Sequence, residues 1–464
     1  MQSAHFHEHI DAAARSAVWR HAGVRESATR RASDIIIRQM SEVMSEGNRR
    51  RSAGEVRHTA APDQSHAGAA ATSSVRRPLN IAMVCDGIGD VVAGSIISTA
   101  RFGERLKAHG HRIVFISSAS RQHPCDHEYR GIKTYRLFGV LIPWSEGQLY
   151  LAVPFPHRLR TILREEHIDI VHVMIPMPLG LVAVRVAKAM GLPIVIHSHT
   201  QPENIFMNVP RLPAREALMR RFSGYVHWLY EQGDVRIYPS PFARRQFPLL
   251  STTRGVVVSN GVDRQRFNPT VPEAFMQRFR LSRRERHLMY VGRLHPEKNL
   301  ETLIRAMPIL LKQHPQTHLC IVGFGYERPA LERLAHECDV AGHVTFCGFV
   351  PDEDLPAAYS ACDLFVLPSL AELEGMAVLE AMACGKPLLI ADAPNSAATD
   401  FVDGNGLLFR ARDPQHLAEQ AGRLLSDPER LRAMGDVSVA KSQAFDLDES
   451  AAALEAVYYS LLEA

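Results

Sequence analysis

The sequence predicts an α/β protein built from two Rossmann-like βαβ units. Short apolar runs alternate with helical patterns twice over, once before and once after about residue 265. Many of those runs end in Gly-bearing or polar loops, where ligands of parallel sheets gather. A chain of 464 residues, 46% hydrophobic and 22% charged, is long enough to bury two ordinary cores.

Residues 1–77 stand apart from this pattern. They hold twelve arginines against eight acids and no lysine, among Ala, Ser and His, a mixture that favours solvation over a core, so disorder is expected. Ser33-Asp34 is placed to cap a short helix with Ile36, Ile37, Met40 and Met44 on one face. His5, His7 and His9 alternate like metal ligands but lie in a tail with nothing to orient them.

The first folded unit is expected over 78–265. NIAMVC reads as a buried strand, DGIGDVVAGS as a Gly-rich loop with Gly87, Gly89 and Gly94, and Ile96 to His109 as a helix. HRIVFISS, a helix around His157 to Glu166, IDIVHVM, a helix near Leu181 to Met190, and PIVIHSHT continue the rhythm. His197 and His199 fall at a strand end and share an orientation, because alternate strand residues point to one face. HPCDH at 123–127 lacks the second pair of a zinc site and reads as a polar loop. In RLPAREALMRRFSGYVHWLY, Arg211, Arg215, Arg220 and Arg221 lie among Leu, Met, Phe and Trp; the stretch suits an anionic lipid surface or a solvated helix at the domain edge. GVVVSNGVD gives a strand from Val256 to Val258 and a turn at Asn260-Gly261, where a hinge is expected.

The second unit is expected over 266–445, with strands in HLMYVG, HLCIVG, HVTFCG, DLFVLPS and PLLIADAP. GRLHPEKN delivers Arg293 and Lys298 from a strand end and a helix start, a pair of fixed cations suited to a diphosphate. Gly323 and Gly325 make a second Gly-bearing turn, expected near a base or ribose. SLAELEGMAVLEAMACG places Glu372 in a loop after a buried strand, Gly375 at a helix start and Glu380 on the helix. Carboxylates accept hydrogen bonds from paired sugar hydroxyls, while freed amides at the helix start face phosphate. Asp446 and Asp448 form a D-x-D that reads as a helix cap before the last segment, 446–464.

ELEGMAVLEAMACGKPLL resembles the E-x7-E signature of the retaining glycosyltransferases of family 4, and GRLHPEKN, NGVD and NGLLF match other phrases of that family. The similarity runs from about Asn80 to the C-terminus, and HTQPENI resembles its glycolipid-forming members. The residues around Glu374 depart from the family's usual wording, and Ser259 stands where proline is commoner.

The resemblance implies the GT-B architecture, with segment 446–464 crossing back to the N-terminal domain. It implies that Glu372 and His199 contact the transferred sugar, that Glu380 holds the ribose hydroxyls, that Arg293, Lys298 and Gly375 bind the donor, and that Gly94 shapes the acceptor and phosphate loop. The expected activity is retaining transfer of a hexose from a UDP- or GDP-linked donor to an alcohol, with lipids and lipid-linked glycans among the candidate acceptors. No cofactor is expected, nor a metal, since paired cations take its place. An epimerase or phosphorylase of the same architecture, or a non-catalytic sugar-nucleotide binder, remains open as an alternative.

A net charge of +3 and the lack of an RNA- or DNA-binding module argue against a specific nucleic-acid partner. Seven cysteines without a CxxC pair suit a reducing cytoplasm. Neither a signal peptide nor a membrane span is visible, so a cytoplasmic enzyme is expected, either soluble or peripheral at the inner face of the cell membrane.

Overall fold

A computed structural model describes residues 76–90, 93–142, 149–207, 215–247 and 254–463. The expectations for the N-terminal extension, including the Ser33-capped helix and the alternating histidines, lie outside these residues, as does Arg211.

The first lobe contains β1 (Asn80–Val84), β2 (Arg112–Ser118), β3 (His127–Tyr129), β4 (Ile132–Leu137), the hairpin β5 (Gly139–Leu141) and β6 (Tyr150–Ala152), β7 (Ile170–Val173), β8 (Ile194–His197), β9 (Val235–Tyr238) and β10 (Arg254–Val257). Eight of these form one sheet in the order β10-β9-β8-β7-β1-β2-β4-β3, parallel except for β3 against β4. Central β1 pairs with β2 and β7 (Ile81 with Ile113 and with Ile170), and its apolar run is buried because the sheet is covered on both faces. One face packs Val114, Leu163, Val184 and Val226. The other packs Ile81, Met83, Phe102 and Phe115.

The second lobe contains β11 (Arg286–Val291), β12 (Thr317–Val322), β13 (Val344–Gly348), β14 (Leu364–Leu367), β15 (Ala371–Glu372), β16 (Leu388–Asp392), β17 (Asn395–Ser396) and β18 (Gly406–Arg410). Its main sheet, β13-β12-β11-β14-β16-β18, is parallel throughout and has its own core, including Leu288, Ile304, Ile321, Phe365 and Leu389. Glu372, expected in a loop, instead lies in the two-residue strand β15, paired with Ser396 of β17. That ladder supplies hydrogen bonds that this largely buried backbone would otherwise lack.

Several helices begin earlier than the sequence pattern suggested. The first spans Gly94–Ala108, and those at Pro156–Glu165 and Pro178–Met190 open on proline, whose fixed φ and missing N–H suit the first helical turn. The last helix, Leu447–Leu462, packs Leu447, Leu454, Val457 and Tyr458 into the core that holds Ile81 and Met83, and so returns to the first lobe. Asp446 caps it by accepting from the Asp448 amide (2.8 Å), as read from the D-x-D.

The two passages between lobes run side by side: Val262 N donates to Phe445 O (2.8 Å) and Leu447 N to Val262 O (3.1 Å). Gly261 sits at their closest approach with φ +69°, and a Cβ there would lie 2.8 Å from Leu447 Cα. Among the described residues, no helix is long and apolar enough to cross a membrane.

Candidate active site

The cleft between the lobes is fastened from the second lobe upward. Lys298 ends the 3-10 turn Pro296–Lys298 that follows β11, and its Nζ lies 2.6 Å from Glu372 Oε1. Arg293 Nη2 donates to Glu297 Oε1 (3.1 Å), and Leu370 N donates to Glu297 O (2.8 Å), which ties the loop before Glu372 to the cationic loop. Asn299 has φ +53°, a left-handed conformation Asn tolerates, and its Nδ2 donates to Pro368 O (3.3 Å). Lys298 and Glu372, 74 residues apart in sequence, are thus held against one another, while Arg293 on the same loop pairs with Glu297. Gly323 and Gly325 serve this packing: a Cβ on either would lie 1.8 Å from Gly292 O or 2.3 Å from Leu294 O, so their turn presses on the cation loop.

Gly375 (φ +103°) is the N-cap of helix Met376–Ala383, and Gly94 opens helix Gly94–Ala108 from the opposite lobe. A Cβ on Gly94 would stand 3.7 Å from Met376 Sδ, so the starts of two helices meet across the cleft. Their free amides and dipole ends make that space attractive to an anion.

Glu380 differs from its expected state. It is buried, with Oε1 held by Arg101 Nη2 (2.6 Å) from the first lobe and Oε2 accepting from Tyr359 Oη (2.8 Å). The carboxylate read as facing ribose hydroxyls is here an interlobe ion pair. Only the tertiary approach of helix Gly94–Ala108 brings Arg101 to it.

His199 stands at the end of β8 with its Nε2 enclosed and without a hydrogen-bond partner. Its ring stacks on His197 (centroids 4.0 Å, 20°), which stacks on His172 (5.5 Å, 5°), whose Nδ1 lies 2.7 Å from Tyr458 Oη. Burial lowers the pKa of His199 and of His172 to about 3, so the stack is neutral at ordinary pH. The shared orientation of His197 and His199 expected from strand periodicity is the one observed. From the same HTQPENI run, Gln201 Nε2 reaches Asn395 O (3.1 Å) beside the strand that carries Glu372's partner.

Sequence reasoning missed three groups. Glu374 is enclosed and accepts from Ser259 Oγ (2.5 Å), Asn260 N (3.1 Å) and Asn260 Nδ2 (2.6 Å), while Asn260 Oδ1 accepts from Ser98 Oγ (2.5 Å). The two departures from family wording, Ser259 and Glu374, are therefore partners, and burial raises the Glu374 pKa to about 7. Their shared strangeness was the available signal. Asp86 follows β1, accepts from Ala152 N (2.8 Å) and is likewise raised by burial to about 7. Arg136, fully enclosed, donates to Asp90 Oδ2 (3.0 Å) and Ser118 O (2.8 Å) and so pins the Gly-rich loop. Asp90 also meets His123 (2.7 Å), which stacks on His127 (4.5 Å), so HPCDH serves as loop structure.

Two parallel-sheet lobes, a cation pair at a strand end, carboxylates opposite it and helix starts converging on the cleft define a GT-B glycosyltransferase. Family models agree: "Glycosyltransferase Family 4" matches residues 92–266 and "Glycosyl transferases group 1" matches 273–438. The chain is 30% identical over 292 residues to a GDP-mannose-dependent alpha-(1-6)-phosphatidylinositol monomannoside mannosyltransferase of Mycobacterium tuberculosis, covering 60% of this chain and 72% of that protein. It is 28% identical over 368 residues to a sulfoquinovosyl transferase of Arabidopsis thaliana, covering 77% and 65%. Among solved structures, sucrose-phosphate synthase from Thermosynechococcus elongatus superposes with a TM-score of 0.70 at 22% identity, over 83% of this chain and 99% of that one. The chain belongs to glycosyltransferase family 4. It is a retaining glycosyltransferase that takes its sugar from a nucleotide-sugar donor.

Proposed function

We propose that this enzyme transfers mannose from GDP-mannose to a hydroxyl of a lipid-anchored, phosphate-bearing polyol head group. The observation that carries this reading is the similarity to relatives named for GDP-mannose and phosphatidylinositol mannosides, joined by relatives named D-inositol 3-phosphate glycosyltransferases. The first unit, 78–265 with 446–464, takes the acceptor; the second, 266–445, takes the donor.

Within that division Arg293 and Lys298 neutralise the leaving diphosphate, helped by amides at Gly375 and Gly94. Lys298 already lies against Glu372, so a bound sugar diphosphate enters between them: phosphate replaces Glu372 on the ammonium, and the freed carboxylate accepts from sugar hydroxyls. Neutral His199 offers a hydrogen bond to the sugar, and Glu380 receives the ribose hydroxyls in exchange for part of its contact with Arg101. The C1–O bond to the diphosphate breaks through an oxocarbenium-like state. The acceptor oxygen bonds C1 from the same face, and its proton passes to the departing phosphate oxygen. The arrangement requires no divalent metal.

The lipid acceptor brings the enzyme to the inner face of the cell membrane. Arg220 and Arg221 are exposed on helix Arg215–Tyr230, next to exposed Leu218, and form the contact with anionic lipid. Arg215 is not free for that role, since it donates to Phe206 O.

The test is a matrix of GDP- and UDP-linked hexoses against phosphatidylinositol vesicles, free inositol phosphate and no acceptor, with the product anomer read by NMR. Transfer from GDP-mannose to the lipid, with the α-configuration kept, is expected. Turnover with a UDP-sugar alone, or with free inositol phosphate alone, would replace the donor or the acceptor in this reading.

A further inference from the structure

A cavity of about 280 Å³ lies where the lobes join, and its wall gathers four guanidinium groups. Arg101 and Arg105 come from helix Gly94–Ala108, Arg130 from the turn between β3 and β4, and Arg266 from the passage between lobes, with Glu104 and Asp263 completing the polar lining. This is a different set of residues from the Arg293 and Lys298 pair.

Each arginine has an acidic neighbour. Arg105 meets Asp263 (2.8 Å) and Asp448 (3.1 Å), Arg130 meets Glu104 (3.1 Å) and Asp352 (2.9 Å), Arg266 meets Asp352 (3.3 Å), and Arg101 meets Glu380 (2.6 Å). These pairs use only part of the available donors, since a guanidinium carries five N–H bonds. Arg101 is 3% exposed, yet its Nε and Nη1 are enclosed without an acceptor, and so is Nη2 of Arg266. The Phe267 ring lies 5.3 Å from Arg101 and 5.2 Å from Arg266, a contact that does not supply an acceptor oxygen for the N–H groups. An enclosed donor left unpaired is costly, the more so when charged, so several on residues that line one cavity mark a place that an acceptor-rich group would stabilise.

We propose that this cavity is a second anion site, taking a small phosphate-bearing anion whose oxygens receive the spare N–H groups of Arg101 and Arg266. The planar, always-charged guanidinium matches phosphate oxygens in pairs, and the cavity has room for a phosphate or a diphosphate. Four rigidly paired arginines are already oriented, so little side-chain ordering opposes binding. Arg101 also holds Glu380 of the second lobe, so an occupant shares the guanidinium that joins the lobes. The phosphate belongs either to a free anion or to a lipid head group, and the two sources separate by experiment.

The full chain is titrated calorimetrically with inorganic phosphate and with pyrophosphate, against chloride at equal ionic strength. Saturable phosphate binding is expected, weakened about tenfold or more by Arg266→Gln and by Arg105→Gln and kept in Lys298→Ala. Thermal midpoints without anion show which variants fold, and Arg266→Lys, which keeps the charge but loses the fork, replaces any that does not. Phosphatidylglycerol vesicles supply the lipid arm: binding that falls with the same substitutions assigns the phosphate to a head group, and unaffected vesicle binding assigns it to a free anion. Absence of saturable phosphate binding overturns the site. So does binding that disappears in Lys298→Ala while ignoring Arg266→Gln, because the ion then sits in the nucleotide cleft.

Discussion

Lys298 and Glu372 form a pair that is structural here and, in the proposed reaction, chemical as well. At 2.6 Å and largely screened from water, the two charges hold the cation loop to the strand that carries Glu372, and in the proposed reaction the donor separates them. Lys298→Ala or Arg293→Ala should lower turnover by about a hundredfold or more with little effect on folding, as read by steady-state kinetics alongside thermal melting. Unchanged turnover in both variants would remove them from the diphosphate site. Glu374 makes a prediction of opposite kind. Its folded pKa, raised from 4.5 to about 7, means the folded state holds its proton more tightly than the unfolded one. Its contribution to stability is full below about pH 4.5 and is lost as pH rises toward 7, by on the order of 3 kcal/mol. Glu374→Gln should therefore flatten the thermal midpoint between pH 5 and 8 relative to the parent protein. An equally steep profile would place the titration elsewhere. The buried histidines act in the reverse sense, stabilising above their ordinary pKa and withdrawing support as acid protonates the unfolded chain.

Among the elements, the paired passages at 258–267 and 443–447 carry the connection between lobes. Gly261 is required there on two counts, its left-handed φ and the nearness of Leu447, whose Cα would lie 2.8 Å from an added Cβ. Gly261→Ala should cost about 1–3 kcal/mol or more in chemical denaturation, because strain and overlap add. A change within error would mean the passages can part without penalty. Helix Arg215–Tyr230 permits a separate test: Arg220→Gln with Arg221→Gln should weaken co-sedimentation with anionic vesicles, each arginine being worth on the order of 1 kcal/mol near such a surface. Added salt should do the same. Indifference to both would leave the acceptor to be met in solution.

At the scale of the molecule, several contacts from one lobe to the other are polar, beside the apolar packing of Leu373 on Tyr238, Ala243 and Phe247. Arg101 with Glu380, Arg130 with Asp352, Gln201 with Asn395 and Glu374 with Asn260 all cross between the lobes. The part-exposed Arg130–Asp352 pair can be traded for water at little net cost, whereas the buried Arg101–Glu380 and Glu374–Asn260 contacts can part only where a ligand takes over their hydrogen bonds. In the proposed reaction Arg293 and Lys298 supply the charge that a divalent ion would otherwise bring. Transfer should accordingly persist in the presence of a chelator, measured with the native donor, whereas loss restored by manganese would put a metal back into the reaction.

The sequence by itself determined the two parallel sheets, because strands covered on both faces must be continuously apolar and their helices must carry one apolar side. It also offered Arg293, Lys298, Glu372, Gly375 and Glu380 as donor-side candidates, the cations from their place at a strand end and the glutamates through the resemblance to family 4. What it left out was decided by approach in space. Neither the Arg101 partner of Glu380, 279 residues away, nor the Ser259 and Asn260 partners of Glu374 has a local signature. The histidine stack emerged only when β7 and β8 lay side by side and Tyr458 returned on the last helix. Periodicity reports which face of an element is buried, but which distant charge meets that face depends on the docking of whole lobes, and only the tertiary structure fixes it.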